Sequence, residues 1–280
     1  MLRPKVKSKT VTKLEKSDAL KVYDGQWTKP PMSPVILEKV VTYLVHDKKT
    51  LWACYGTCFG WQFLTAPYLF RTLKLQARQG MNSDSRLSLM KESDYLPFVK
   101  RVKFDKVSHR SFEPEFFDND NHLECFRALE NVHDLSIAGL NFSHFNKGRA
   151  NKCFGHFGRE LRSLTLISPR GTRQDLFDFL GLFPSLDDIE ISDFSPLDTV
   201  NDTPPNHYRR GLKGRLVLKD FGDEGLLRAI FDSHGGMWFK SVVLHDAQGA
   251  QLVLDSCAYN VKTLRIWPSN GQYCKRFLGP

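Results

Sequence analysis

The stretch Asp175-Leu-Phe-Asp-Phe-Leu-Gly-Leu-Phe-Pro-Ser-Leu-Asp-Asp-Ile-Glu-Ile191 decides how the chain is read. Its first half is helical in pattern: Leu176, Leu180 and Phe183 share a face, and Thr172 with Asp175 three residues later resembles a capping arrangement. Its second half changes form. Leu186, Ile189 and Ile191 are spaced apolar, two residues, apolar, one residue, apolar. The same form occurs at Val99-Val102-Phe104, Val132-Leu135-Ile137, Leu161-Leu164-Leu166, Phe239-Val242-Leu244 and Val261-Leu264-Ile266, with a weaker copy ending in Leu216-Val217-Leu218. The last apolar residues fall at 104, 137, 166, 191, 218, 244 and 266, in steps of 33, 29, 25, 27, 26 and 22. Segments between the copies fit a helical return: His122–Leu129, Leu226, Leu227, Ile230 and Phe231 behind Asp223, and Ala250–Tyr259. Alternating strands and helices of this kind imply parallel strands joined by crossovers.

Most of these steps lie in the 20–29-residue range of leucine-rich repeats, which the region resembles. The resemblance implies a curved parallel sheet in which residues between the apolar strand positions line an exposed concave face. Here these are Lys103, Ser136, Thr165, Glu190, Val217, Val243 and Arg265, a set of both charges and neutral residues that names no ligand. The pattern departs from that family at one position. Three residues past each copy it wants Asn or Cys, whose side chain bonds the turning backbone; the sites hold Val107, Leu140, Pro169, Phe194, Phe221, Ala247 and Ser269. The turns must be held in another way, and the alternative fold is an irregular α/β layer with no true solenoid. Pro196–Pro205 reads as an exposed loop between repeats.

Residues 31–76 carry a different pattern. Ser33 is a good N-cap and Pro34 suits the first helical position. Ile36, Leu37, Val40, Val41 and Leu44 form one apolar stripe. Asp47 can cap a second helix, with Leu51, Cys54, Tyr55 and Cys58 on one face and Gly60 as its break. A third short helix around Trp61–Thr65 should stop ahead of Pro67, because the residue before proline is pushed out of the helical region. An alternating strand follows through Leu75. Three helices in about 40 residues cannot bury all these side chains alone, so the rest of the chain or a partner covers part of them.

Met32-Ser33-Pro34-Val35-Ile36-Leu37, the spaced Leu51, Cys54, Cys58 and Trp61, and the closing Pro67-Tyr68-Leu69-Phe70-Arg71 together resemble the F-box motif. Two positions depart from it: Val35 stands where the family usually has Glu, and Ser33 replaces one proline. The resemblance, and a looser one of 175–191 and 212–220 to the repeat regions of fungal F-box proteins, implies an α/β protein: a three-helix F-box followed by an irregular leucine-rich-repeat-like solenoid. It implies docking on the SKP adaptor, and through it a cullin, by Pro34, Ile36, Leu37, Val40, Leu44, Leu51, Cys54 and Trp61, with the repeats holding a protein substrate. The domain division expected is a basic tail over 1–30, the F-box-like segment over 31–76 and the recognition domain over 77–280.

Composition bounds the remainder. The 280 residues are 41% hydrophobic and 12% aromatic, enough for a sizeable core and against a disordered chain. The net charge of +9 is local: residues 1–30 carry +5, residues 31–76 carry +3 and the remaining 204 carry +1. A flexible basic leader is the expected account of the tail; a basic nucleic-acid-associated protein, or a scaffold repeat protein with no ligase link, is the competing one. The near-neutral remainder shows no basic stripe along the sequence and argues against a nucleic-acid partner. No apolar run approaches the ~20 residues that span a bilayer, and the first residues lead into no apolar core, so no membrane partner or signal peptide is read and a cytoplasmic or nuclear location is expected. Six thinly spread cysteines read as reduced, mostly buried thiols. Cys54 with Cys58, and Cys153 with His156, lack the further ligands zinc needs. No nucleotide-binding, P-loop, nucleophile-elbow or zinc-protease motif is present. The Asp118-Asn119-Asp120 run and Asp187-Asp188 read as solvated loop charge, with cation binding the alternative. Ser233-His234-Gly235-Gly236 reads as a tight turn ahead of the strand at Phe239, without a nucleophile elbow, and His144, His156 and His245 have no orienting partner in sequence. A non-catalytic recognition subunit without cofactor or metal is the expectation.

Overall fold

A computed structural model describes residues 33–76, 87, 91, 95–105, 114–142, 147–197, 214–219, 230, 239–245, 251, 261–266 and 275–278. The basic tail, the Ser233–Gly236 turn, His144, Cys257, Cys274, most of the return segments behind Asp223 and over 250–259, and the Pro196–Pro205 loop beyond Leu197 lie outside the described residues. The chain divides into two compact units, Met1–Leu69 and Phe70–Pro280.

In the first unit the order is α1 (Pro34–Tyr43), a 3-10 turn (Leu44–His46), α2 (Lys48–Tyr55) and α3 (Phe59–Leu69). The helices form largely for the expected local reasons. Pro34 opens α1, whose first bonds run from the Ile36 and Leu37 N–H groups to the Ser33 carbonyl at 2.9 and 3.1 Å; the Ser33 side chain itself makes no cap. Asp47 caps α2, its carboxylate accepting from the Thr50 N–H at 3.0 Å and the Thr50 hydroxyl at 2.6 Å. Those bonds hold the Asp47 carboxyl below its ordinary pKa of 3.8. Two expected boundaries move. Helix α2 ends at Gly56, whose N–H reaches the Trp52 carbonyl at 3.1 Å, and Gly60 lies buried inside α3. Helix α3 runs through Pro67 to Leu69 instead of stopping before it. Pro67 sits in the last turn, where its missing N–H removes a single bond of the ladder. Helix α2 packs on α3, and α1 on α3 and the 3-10 turn.

The second unit is built on a nine-stranded sheet in the order β1-β2-β3-β4-β6-β8-β9-β10-β11. The strands are β1 (Thr72–Gln76), β2 (Arg101–Asp105), β3 (Asp134–Ala138), β4 (Ser163–Ile167), β6 (Asp188–Ser192), β8 (Arg215–Lys219), β9 (Ser241–Leu244), β10 (Thr263–Ile266) and β11 (Lys275–Leu278). A two-residue parallel pair, β5 (Arg170–Gly171) and β7 (Ser195–Pro196), lies beside it. The first eight strands of the large sheet are parallel and follow chain order; only β11 runs antiparallel, on β10. Strand β1, read from sequence as the tail of the helical segment, pairs with β2 and belongs to this unit. Among the described residues, helices return between strands at α4 (Pro114–Asp118), α5 (Asp120–Arg127), α6 (Lys147–Phe154) and α7 (Arg173–Leu180).

The repeating apolar positions meet in register. Val102 pairs with Leu135, Leu135 with Leu164, Leu164 with Ile189, Ile189 with Leu216, Leu216 with Val242 and Val242 with Leu264. All seven are buried and face a core rich in phenylalanine. The Phe104 ring from β2 lies 5.7 Å from Phe117, 5.8 Å from Phe126 and 5.9 Å from Phe154, mostly edge-on. Phe154 continues to Phe179 at 5.7 Å, and Phe179 to Phe183 at 5.3 Å. The aromatic side chains of α4 to α7 thus fill the space behind the strands. The expected capping of α7 is present in full: the Thr172 hydroxyl accepts from the Asp175 N–H at 3.1 Å, and the Asp175 carboxylate accepts from the Thr172 N–H at 3.1 Å.

The turns are held by the backbone, which answers the missing asparagine ladder. At the strand exits Gly139, Ser168 and Asp193 occupy one repeat position, two residues past Ile137, Leu166 and Ile191, and all three have φ between 48° and 71°. Their N–H groups donate to the neighbouring strand's last carbonyl: Gly139 to Ile167 at 2.7 Å, Ser168 to Ser192 at 2.8 Å and Asp193 to Lys219 at 2.9 Å. The next residues, Leu140, Pro169 and Phe194, are buried, so apolar contact replaces the amide side chain. At the strand entries a second relay runs across the sheet, from the Lys100 N–H to the Arg71 carbonyl at 2.9 Å and onward through His133, Arg162, Asp187, Gly214, Lys240 and Lys262, each at 2.9 to 3.1 Å.

Candidate functional site

The helical unit keeps much of its apolar surface in solvent. Among the described residues the large apolar side chains that stand exposed are Val35, Ile36, Tyr43, Trp52, Phe59 and Phe63, all on this unit, and Ile167 and Leu197 elsewhere. Tyr43 is 88% exposed, Phe59 66% and Val35 62%. Of the residues expected to face an adaptor, Ile36 is exposed, and Leu37, Val40, Leu44, Cys54 and Trp61 are half-buried. Pro34 opens α1, with its side chain outside the described set. Leu51 corrects the expectation: it is fully buried at 0% exposure and holds α2 in place, so it offers no surface to a partner. Val35, Tyr43, Trp52, Phe59 and Phe63 are exposed as well and were not among the expected docking residues. Their signal was the apolar residue standing off the stripe, the opposite of an ordinary amphipathic helix. Trp52 packs edge-on against Tyr55 with centroids 5.4 Å apart, which fixes its ring on the surface of α2.

The seven residues expected on the sheet face are brought into a single row. Lys103 is in register with Ser136, Ser136 with Thr165, Thr165 with Glu190, Glu190 with Val217, Val217 with Val243 and Val243 with Arg265. Lys103, Ser136, Thr165, Glu190 and Arg265 are half-buried. Val217 and Val243 are 3% and 4% exposed, which removes them from any open recognition face. The row is polar and accessible over β2 to β6 and closed over β8 and β9. Ion pairs stitch the same face: Lys74 to Asp105 at 3.2 Å, Arg101 to Asp134 at 2.9 Å and Lys219 to Glu190 at 2.6 Å.

The acidic pairs are accounted for structurally. Asp118 holds Arg149 through two bonds of 2.9 and 2.7 Å. Asn119 caps α5 by accepting from the Asn121 N–H at 3.0 Å, and Asp120 lies 3.9 Å from Lys152. Asp188 accepts from the Arg215 N–H at 2.8 Å. Cys54 lies in the last turn of α2 while Cys58 falls between α2 and α3, so they do not share the helical face read from their spacing. Cys153 is buried and donates to the Phe117 carbonyl at 3.2 Å, and burial, with Asp118 adding to it, pushes its thiol up to about 12. Cys125, donating to the Leu87 carbonyl at 3.4 Å, is likewise raised by burial. These thiols serve the core. Among the described residues no three His, Cys, Asp or Glu side chains gather to hold a metal, and no helix is long and apolar enough to cross a membrane. Compared with known proteins, the chain matches no protein-family model and no curated protein.

Proposed function

We propose that the chain is a non-catalytic substrate-recognition subunit of a SKP–cullin–F-box ubiquitin ligase, with an F-box in residues 31–76 and a leucine-rich-repeat-like recognition domain behind it. The observation that carries this is the concentration of exposed large apolar side chains on one three-helix unit: six of the eight among the described residues. Large exposed apolar side chains gathered on one small unit are what a docking surface presents. Each is worth about 1.5–3 kcal/mol when fully buried, and aromatic anchors such as Trp52 and Phe59 dominate interfaces of this kind. The strands in chain order, one repeat in register with the next, support the repeat reading of the second unit. In this role the protein performs no bond chemistry; it raises the local concentration of substrate lysines beside a ubiquitin-charged enzyme.

Co-expression with an SKP adaptor tests the proposal. The wild-type chain co-purifies with the adaptor, and Ile36→Asp loses it while its melting temperature stays unchanged, because Ile36 is 50% exposed. A wild-type chain that folds and fails to co-purify overturns the reading.

A further inference from the structure

The relay at the strand entries places eight residues in one line: Arg71, Lys100, His133, Arg162, Asp187, Gly214, Lys240 and Lys262, each bonded through its N–H to the carbonyl of the one before. Neighbours stand one strand apart, about 4.8 Å, so the line spans about 34 Å. Five of the eight are lysine or arginine, and Arg71, Lys100, Arg162, Lys240 and Lys262 are all exposed. Residues 77–280 as a whole are near neutral, with 27 basic and 26 acidic residues. The concentration of positive charge along one backbone line is thus a segregation, not a reflection of composition. Acidic residues beside it are Glu160, whose carbonyl meets the His133 Nδ1 at 3.0 Å, Asp134, held by Arg101, and the exposed Asp188, whose N–H donates to the Arg162 carbonyl at 2.8 Å.

The run of lysine and arginine is interrupted at His133 and, over a longer stretch, at Asp187 and Gly214. Asp187 lies 3.8 Å from Arg162, and Gly214 follows it because a side chain there has no room: a Cβ would stand 2.3 Å from the Asp187 carbonyl oxygen. Arg71, Lys100 and Arg162 therefore form one basic cluster and Lys240 with Lys262 a second, separated by about 14 Å, three strand steps.

We propose that this ridge binds an extended acidic protein segment of about ten residues, with two acidic clusters either side of a neutral stretch. An extended chain advances about 3.3 Å per residue, so ten residues match the length of the ridge. The break favours a peptide over a nucleic acid, whose phosphates present negative charge uniformly to Asp187. Single-stranded nucleic acid also calls for aromatic platforms beside the basic track; among the described residues of this unit the exposed large apolar side chains are Ile167 and Leu197, neither aromatic. The inference names the substrate class of the recognition unit and rests on the ligase reading for its role in the cell.

The test is fluorescence anisotropy at low salt with a labelled ten-residue peptide carrying three glutamates at each end of a Gly-Ser spacer, and in parallel a labelled ten-nucleotide thymidine strand. The full chain binds the peptide more tightly than the thymidine strand. The double variant Lys100→Glu, Arg162→Glu weakens the peptide at least tenfold, while Lys48→Glu, Lys49→Glu on α2, the same change of charge elsewhere, weakens it less than twofold. Absence of peptide binding, equal losses in the two double variants, or tighter binding of the thymidine strand with a loss that follows Lys100 and Arg162 overturns the proposal. Adaptor co-purification of the same variants reads the ligase proposal separately, since Lys100 and Arg162 lie outside the helical unit.

Discussion

The Ser168 hydroxyl donates a 2.8 Å hydrogen bond to the Asp193 carboxylate, and both residues hold positive φ, 48° and 53°. They occupy the same position in successive repeats, so one left-handed turn supports the next by its side chain as well as by its backbone. Aspartate visits this conformation through local hydrogen bonding; serine holds it with some strain, and a β-branched residue is a genuine outlier there. Ser168→Val is expected to lower stability by about 1–3 kcal/mol, the cost of holding such a residue in the left-handed region. Ser168→Gly, which removes the strain and loses only the exposed bond, stays close to wild type. Urea unfolding midpoints of the two variants check the difference, and equal midpoints would sink the role assigned to the turn.

The aromatic core is the second place where a single change is decisive. Phe154 touches Phe104, Phe117 and Phe179 at centroid distances of 5.9, 5.7 and 5.7 Å and is fully buried. Its truncation removes the link between the first strands and α7. Phe154→Ala is expected to cost about 3–5 kcal/mol, and Phe154→Leu, which leaves a smaller cavity, distinctly less. Calorimetric melting of the pair is the measurement, and a Phe154→Ala protein that melts with wild type would place the core elsewhere.

The pattern of apolar pairs was enough to place β2, β3, β4, β6, β8, β9 and β10, because a buried strand needs apolar side chains on the core face and the register repeats them; it gave no sign of the short β5 and β7 pair. The cap of α7 was legible for the same reason: Thr172 and Asp175 satisfy backbone donors that lie within three residues. The boundaries in the helical unit were not. Pro67 was read as a stop, but its position in a last turn lets packing outweigh the lost bond. Val217 and Val243 were expected on the exposed face because they stand between the apolar strand positions, which the repeat resemblance assigns to that face; the burial of these two row members is a tertiary fact. The basic ridge was in plain view in one sense only. Lys100, His133, Arg162, Asp187, Lys240 and Lys262 each follow the first apolar residue of a copy, yet lie 22 to 53 positions apart, so no window of sequence shows them together.

The thiols divide by environment. Cys125 and Cys153 are buried, and burial raises both, Cys153 to about 12. The reactive species is the thiolate, so alkylation of the native protein with iodoacetamide at pH 8 is expected to reach the half-buried Cys54 and Cys58 long before these two. Peptide mass spectrometry reads each site. The sign of the stability effect follows: the Cys153 thiol is protonated in both states below its ordinary value of 9.0, and between there and about 12 only the unfolded chain ionises. Stability is therefore lost as pH rises through that window, and Cys153→Ala flattens the decline while lowering the neutral-pH value. Early labelling of Cys153 in folded protein would contradict the burial that drives both effects.

Leu51 and Trp52 are neighbours on α2 with opposite environments, 0% and 50% exposed. They separate folding from docking. Leu51→Ala removes a fully buried side chain and is expected to cost the helical unit about 2–5 kcal/mol. Any loss of adaptor in that variant follows from unfolding and disappears when binding is compared per folded molecule. Trp52→Ala takes away an exposed ring and its edge contact with Tyr55, and changes the melting temperature little. If the exposed apolar side chains are the docking surface, Trp52→Ala weakens adaptor binding in calorimetric titration by at least fivefold, with the folded fraction unchanged. The contrast rests on side chains one position apart on a helix, about 100° around its axis, so a shared long-range disturbance does not account for it. Adaptor affinity that survives Trp52→Ala and falls per folded molecule in Leu51→Ala would move the interface to the other side of α2.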